Sequence, residues 1–101
     1  SEDLDQRADL YALAVVLFEM LSGQLPYDDD NPLVIMQKQR RDPVPRIQAK
    51  TRISSLLEKK LQCFFQKGLA KKPEDRFADV CEFDAALEDL QDCIDVIDLP
   101  S

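Results

Sequence analysis

The stretch LYALAVVLFEML, Leu10 to Leu21, decides how this chain folds. Glu19 is its only charged side chain, and apolar residues fall on every side of a 3.6-residue turn instead of along one stripe. That is the pattern of a helix with neighbours all round it. Gly23 stands just beyond and is expected to close the helix, which spans about 8–22. The apolar run falls well short of the ~20 residues a bilayer crossing needs. Ser1 to Asp9 is acidic and unlike a signal peptide. No membrane contact is therefore expected of this chain.

Outward from that helix the chain reads as three more. After the acidic loop QLPYDDD, Asn31 is a natural N-cap with Pro32 in the first helical position, where its missing N–H costs nothing. The second helix runs over about 32–41, and Asp42-Pro43-Val44-Pro45 ends it. An extended linker reaches about Ile53. Ser55 with Glu58 forms a capping box for a third helix over about 55–67, with Leu57, Leu61, Phe64 and Phe65 on one face and Gly68 as its C-cap. Lys71 to Arg76 is a polar turn. Asp79 with Glu82 caps the last helix, about 79–97, whose apolar residues Val80, Phe83, Leu87, Leu90, Ile94 and Ile97 form a lengthwise seam. No segment alternates with the period of a strand. The expected fold is all-α, four helices in one unit spanning residues 1–101.

Composition narrows the chemistry. The 101 residues are 45% hydrophobic and 33% charged, enough apolar material for a core and too much for disorder. Thirteen basic against 20 acidic residues give −7, which opposes a nucleic-acid footprint over the whole surface. The charge is divided: residues 1–37 carry eight acids and one base, 38–76 twelve bases and four acids, and 77–101 eight acids and no base. The basic middle, with Arg40, Arg41, Arg46, Lys50, Arg52, Lys59 and Lys60, reads first as a solvated face balancing the acidic last helix, and second as an acid-binding surface. There is no His, so no Ser-His or Cys-His nucleophile and no His-bearing metal site can be assembled. Cys63, Cys81 and Cys93 lack metal-ligand spacing and read as reduced thiols serving as small hydrophobes, which suits a cytoplasmic protein. Asp28, Asp29 and Asp30 lack the alternation and the central Gly of a calcium loop. No metal is expected.

A resemblance carries the reading further. Residues 6–27, QRADLYALAVVLFEMLSGQLPY, resemble the central helix of the large lobe of eukaryotic-like (Hanks-type) protein kinases. Residues 30–45, DNPLVIMQKQRRDPVP, resemble the next helix and proline-bearing linker of bacterial Ser/Thr kinases. Residues 69–87, LAKKPEDRFADVCEFDAAL, resemble the family's penultimate turn and final helix. The three segments are collinear and cover about residues 5–90. The resemblance implies the C-terminal part of a kinase large lobe, beginning just after the activation segment.

The resemblance also implies roles. Asp9 falls on the acidic residue that accepts hydrogen bonds from backbone N–H groups of the family's catalytic loop, an acceptor of the strong, charged kind. Arg76 falls on the arginine of P-x-x-R that pairs with the glutamate closing the activation segment. Glu19 and Tyr27 are implied as substrate-docking positions. Taken without the resemblance, Asp9 reads as a cap of its own helix and Arg76 as a surface arginine beside Glu74 and Asp75. Ala14 stands where the family has Gly. The Gly-rich loop, H-R-D, D-F-G and A-P-E motifs are not in these residues, so no residue here is expected to be catalytic and the chain alone is expected to be inactive. ATP and Mg are implied for a full-length parent, not for this chain. The implied partners are the remainder of the kinase domain and a protein substrate, with self-association through uncovered apolar surface. A non-catalytic helical interaction module, or a kinase-derived remnant, is the alternative.

Overall fold

The computed structural model describes residues 2–98, with side chains from 6 to 93. Four helices, α1 Glu2–Ser22, α2 Pro32–Arg41, α3 Ser55–Gly68 and α4 Val80–Asp98, are joined by loops and one short 3-10 turn, Pro73–Asp75. No strand occurs among the described residues. The fold is all-α, as the periodicities imply.

Local signals explain most of the boundaries. Gly23 adopts φ +79°, the left-handed region that glycine enters without a Cβ penalty, and its N–H donates to the Glu19 carbonyl at 2.7 Å. Asn31 Oδ1 accepts from the Leu33 amide at 2.9 Å and opens α2. Asp79 Oδ1 accepts from the Glu82 amide at 2.9 Å and opens α4.

Two caps differ from expectation. The residue capping α3 is Ser54, whose Oγ accepts from the Leu57 amide at 3.1 Å, and not Ser55. Glu58 is thereby freed from a capping box and pairs with Arg46 at 2.8 Å. Gly68 is the last residue of α3, with Leu69 as its cap, and needs no left-handed backbone. Its use is steric: a Cβ there would lie 3.0 Å from Cβ of Ala14. α1 and α3 touch through two of the smallest side chains, which is how this chain accommodates Ala14 where the resemblance has Gly.

The core sits where α1, α3, the 3-10 turn and α4 meet. It holds all five phenylalanines, Phe18, Phe64, Phe65, Phe77 and Phe83, together with Leu10, Ala14, Leu57, Leu61, Leu69 and Leu90. Phe64 centres the cluster, with ring centroids 5.2 Å from Phe65, 5.2 Å from Phe77 and 5.4 Å from Phe83. The contacts with Phe65 and Phe83 are edge-on and that with Phe77 is tilted at 42°; an edge-on pair adds about 0.5–1.5 kcal/mol to area burial. The linker between α2 and α3 is fastened rather than loose. Gln62 receives the Ile47 amide at 2.9 Å and donates to the Pro45 carbonyl at 3.1 Å, and the Lys50 amide donates to the Leu21 carbonyl at 2.8 Å. Ile47 is buried in consequence.

Three apolar expectations change. α1 is covered on one side only: Leu10, Ala14 and Phe18 are buried, while Leu13, Val16 and Met20 are 44%, 50% and 63% exposed. The seam of α4 begins at Phe83, because Val80 at the helix start lies outside the packed layer; Ile94 and Ile97 fall outside the described side chains. All three cysteines are free, but only Cys93 is buried and acts as a small hydrophobe, while Cys63 and Cys81 are exposed.

Candidate functional site

Two places on α1 matter, and they lie on opposite sides of the helix. On the open side, Asp9, Leu13, Val16 and Met20 follow one another at four-, three- and four-residue steps, within an arc of about 60° at 3.6 residues per turn. All four are exposed. Asp9 leads this stripe. Because α1 starts at Glu2, Asp9 lies about two turns inside the helix, which excludes the reading of Asp9 as its cap. No partner for the Asp9 carboxylate is found among the described residues. Glu19 is likewise exposed, beside the stripe, with no ion pair among the described residues.

The other place is a polar corner between α1, the end of α2 and the turn after α3. Arg76 is half-buried. Its Nε donates to the Ala70 carbonyl at 2.7 Å and its Nη2 to the Lys71 carbonyl at 3.2 Å, and the guanidinium lies 4.5 Å from the centre of the Tyr11 ring. That stacking is the cation–π arrangement in which arginine is favoured. Arg76 therefore braces the chain reversal against α1; it is not a surface arginine turned to Glu74 and Asp75. The Tyr11 hydroxyl and Nε of Arg7, one helical turn away, are buried without a hydrogen-bond partner. Burial pushes the Tyr11 phenol above its ordinary range, and the Arg76 charge partly offsets this.

Tyr27 and Lys71 complete the corner. Lys71 Nζ donates to the Tyr27 hydroxyl at 2.9 Å and to the Gln39 carbonyl at 2.8 Å, neutralising a last-turn carbonyl of α2 with a cation. The Tyr27 hydroxyl faces the Asp42 and Pro43 carbonyls in longer contacts of 3.4 and 3.3 Å. Burial first, and then Tyr11 and Asp42, push the Tyr27 phenol up to about 12. Burial pulls the Lys71 ammonium down, against the attraction of Asp42. Tyr27, implied as a docking residue, is only 6% exposed and is occupied as an anchor for α2, so its side chain offers no surface to a substrate.

The structure thus brings Arg76 to Tyr11 and Tyr27 to Lys71, and leaves Asp9 and Glu19 apart from both. The sequence singles out neither Tyr11 nor Lys71. Tyr11 carries a signal, since a phenol within the apolar run Leu10–Phe18 needs somewhere to put its hydroxyl. Lys71 carries none beyond membership of a charged turn. The basic middle is partly spent on the last helix: Lys60 reaches Asp89 at 2.9 Å and Lys67 meets Glu82, both tying α3 to α4. The hydrogen bond and charge of Asp89 raise the Lys60 ammonium.

The chain is 38% identical over 86 residues to the serine/threonine-protein kinase Pkn1 of Myxococcus xanthus, covering 84% of this chain and 12% of that protein. It is 38% identical over 87 residues to PknB of Mycobacterium leprae, and 37% identical over 78 residues to PknH of Mycobacterium tuberculosis. These matches cover 85% and 77% of this chain, and 13% and 12% of the two kinases. No protein-family model matches the chain. The chain is homologous to the bacterial Hanks-type Ser/Thr protein kinases. It spans about an eighth of the length of the curated relatives it matches, consistent with a kinase fragment.

Proposed function

We propose that this chain is the C-terminal part of the large lobe of a bacterial Ser/Thr protein kinase and acts there as scaffold and docking surface. The parent kinase transfers the γ-phosphoryl group of ATP, with Mg, to Ser or Thr of a protein substrate in the cytoplasm. The observation that carries the reading is the open stripe of α1. A soluble domain rarely leaves Leu13, Val16 and Met20 uncovered in one row, and the row is headed by the carboxylate implied to hold the catalytic loop. The remainder of the kinase domain is the partner that covers it. Asp9 then accepts backbone N–H groups from that part, and Arg76, already braced on Tyr11, meets the carboxylate closing the activation segment.

The residues present do not fit ATP or Mg. The chain has two glycines and no Gly-rich phosphate loop, and no three acidic, His or Cys side chains among the described residues converge as metal ligands. Both belong to the upstream part of a kinase, and the chain alone is inactive. No helix among the described residues is long and apolar enough to cross a membrane.

A chimera tests the reading: this chain replaces the matching segment of the Myxococcus Pkn1 kinase, and phosphotransfer from labelled ATP is measured. The expected result is an active chimera, weakened by Asp9→Ala, beside an isolated chain with no activity. Phosphotransfer by the isolated chain, or a folded but dead chimera, overturns it.

A further inference from the structure

α2 differs from the other helices in giving nothing to the core: none of its residues is buried. It is held through its last turn by polar contacts, Lys71 to the Gln39 carbonyl and Lys38 to the Asp28 carbonyl at 2.7 Å. Its inner side carries Val34, Ile35, Lys38 and Gln39, all half-buried. Its outer side carries Leu33, Met36, Gln37 and Arg40, which share one face at 3.6 residues per turn, with Arg41 at the edge. Leu33 and Met36 are 67% and 56% exposed. Arg40 and Arg41 are exposed and have no ion-pair partner among the described residues.

The arrangement is polarised. Apolar side chains sit at the N-terminal half of the face and guanidinium groups at the C-terminal half, while Asp28, Asp29 and Asp30 precede the helix. We propose that this outer face of α2 docks an acidic protein segment that lays an aliphatic side chain on Leu33 and Met36 and its carboxylates on Arg40 and Arg41. This names the partner chemistry for the docking role given to the chain above and rests on that reading. Methionine and leucine make an adaptable apolar seat, and arginine gives carboxylates paired, directional contacts. A nucleic acid has no use for the Leu33–Met36 seat, which rewards an aliphatic side chain beside the carboxylates.

The probe is a short fluorescein-labelled peptide with glutamates on either side of two leucines, followed by anisotropy as the full chain is added at low salt. Binding is expected, and it weakens as salt is raised. It should fall roughly tenfold for Leu33→Ser with Met36→Ser, and at least as much for Arg40→Glu with Arg41→Glu. A peptide with glutamine for glutamate is expected to bind weakly. Circular dichroism checks that the variants fold, which is expected because the face supports no packing. Absence of binding, equal binding by the variants or by the glutamine peptide, or equal competition from a single-stranded oligonucleotide overturns the proposal. The Pkn1 chimera separates the two claims: an active chimera with peptide binding unaffected by the α2 variants sinks this inference alone, and a folded, inactive chimera with peptide binding intact sinks the kinase reading.

Discussion

The two sides of α1 are built from the same kinds of residue and meet opposite fates. Leu10, Ala14 and Phe18 lie against α3, α4 and the 3-10 turn, whereas Leu13, Val16 and Met20, interleaved with them, face outward. Hydrophobicity is equal on the two sides, so it does not decide which is covered. Geometry does: the buried side has Gly68 and the phenylalanine cluster within reach, and the open side has no element opposite it among the described residues. An apolar residue states a preference for leaving water, and the partner that satisfies it can lie on another part of a larger protein.

The comparison breaks most easily on the buried side. Phe65→Ala removes a ring wholly shielded from solvent and in edge contact with Phe18 and Phe64, and should cost about 3–5 kcal/mol in urea denaturation, enough to unfold a small domain. A loss below about 1 kcal/mol would show that this side is no better packed than the open one. Gly68→Ala should cost about 1–3 kcal/mol, since the added methyl meets Ala14 across the helix contact. The penalty should shrink in the double variant with Ala14→Gly; simple additivity in the cycle would mean the two helices do not press together there.

Titration sharpens the contrast at the polar corner that braces the buried side. Tyr27 has its folded value raised from 10.0 to about 12, so the folded chain holds that proton while the unfolded chain has lost it. The corresponding stability is present below pH 10 and is lost as pH rises to about 12. Tyr11, also raised, acts with the same sign. Lys71 is lowered and acts the other way, favouring the folded state as pH climbs toward 10.5. Thermal melts across this range should show a fall above pH 10 that is smaller in Tyr27→Phe; an unchanged fall would remove Tyr27 from the account.

The smallest effect belongs to the open side. Leu13→Gln, Val16→Thr and Met20→Gln should each alter stability by no more than about 0.5 kcal/mol, because no packing is lost. The isolated wild-type chain should self-associate through this stripe, and sedimentation should show the triple variant shifted toward monomer. A wild-type chain that is monomeric at high concentration would mean that the stripe does not drive association.

Much of the fold is legible in particular residues. Gly23, Asn31 and Asp79 mark boundaries because each solves a local problem, a left-handed turn or an orphan amide, that needs no distant partner. The α3 cap falls one residue from the expected position because two serines stand in a row, and it is the Ser54 hydroxyl that meets the Leu57 amide. Gly68 departs from its expected role as a C-cap because glycine serves both turns and close approaches, and its neighbour Ala14 is 54 residues away in the sequence. The candidate site was legible to a lesser degree. Asp9 and Arg76 were named through the resemblance, but the ring beneath Arg76 and the cation on Tyr27 come from other segments.

The sequence by itself determined four helices, most of their ends, the apolar faces that carry Phe64, Phe65 and Phe83 into the core, and homology to bacterial kinases, because these depend on periodicity, local hydrogen bonding and residue identity. The tertiary structure alone decided which side of α1 is buried, that Tyr27 anchors α2 instead of meeting solvent, and that Leu33 and Met36 stand outside. Those outcomes depend on what lies opposite each side chain in space, and a linear order of residues does not specify an opposing surface until the chain has packed.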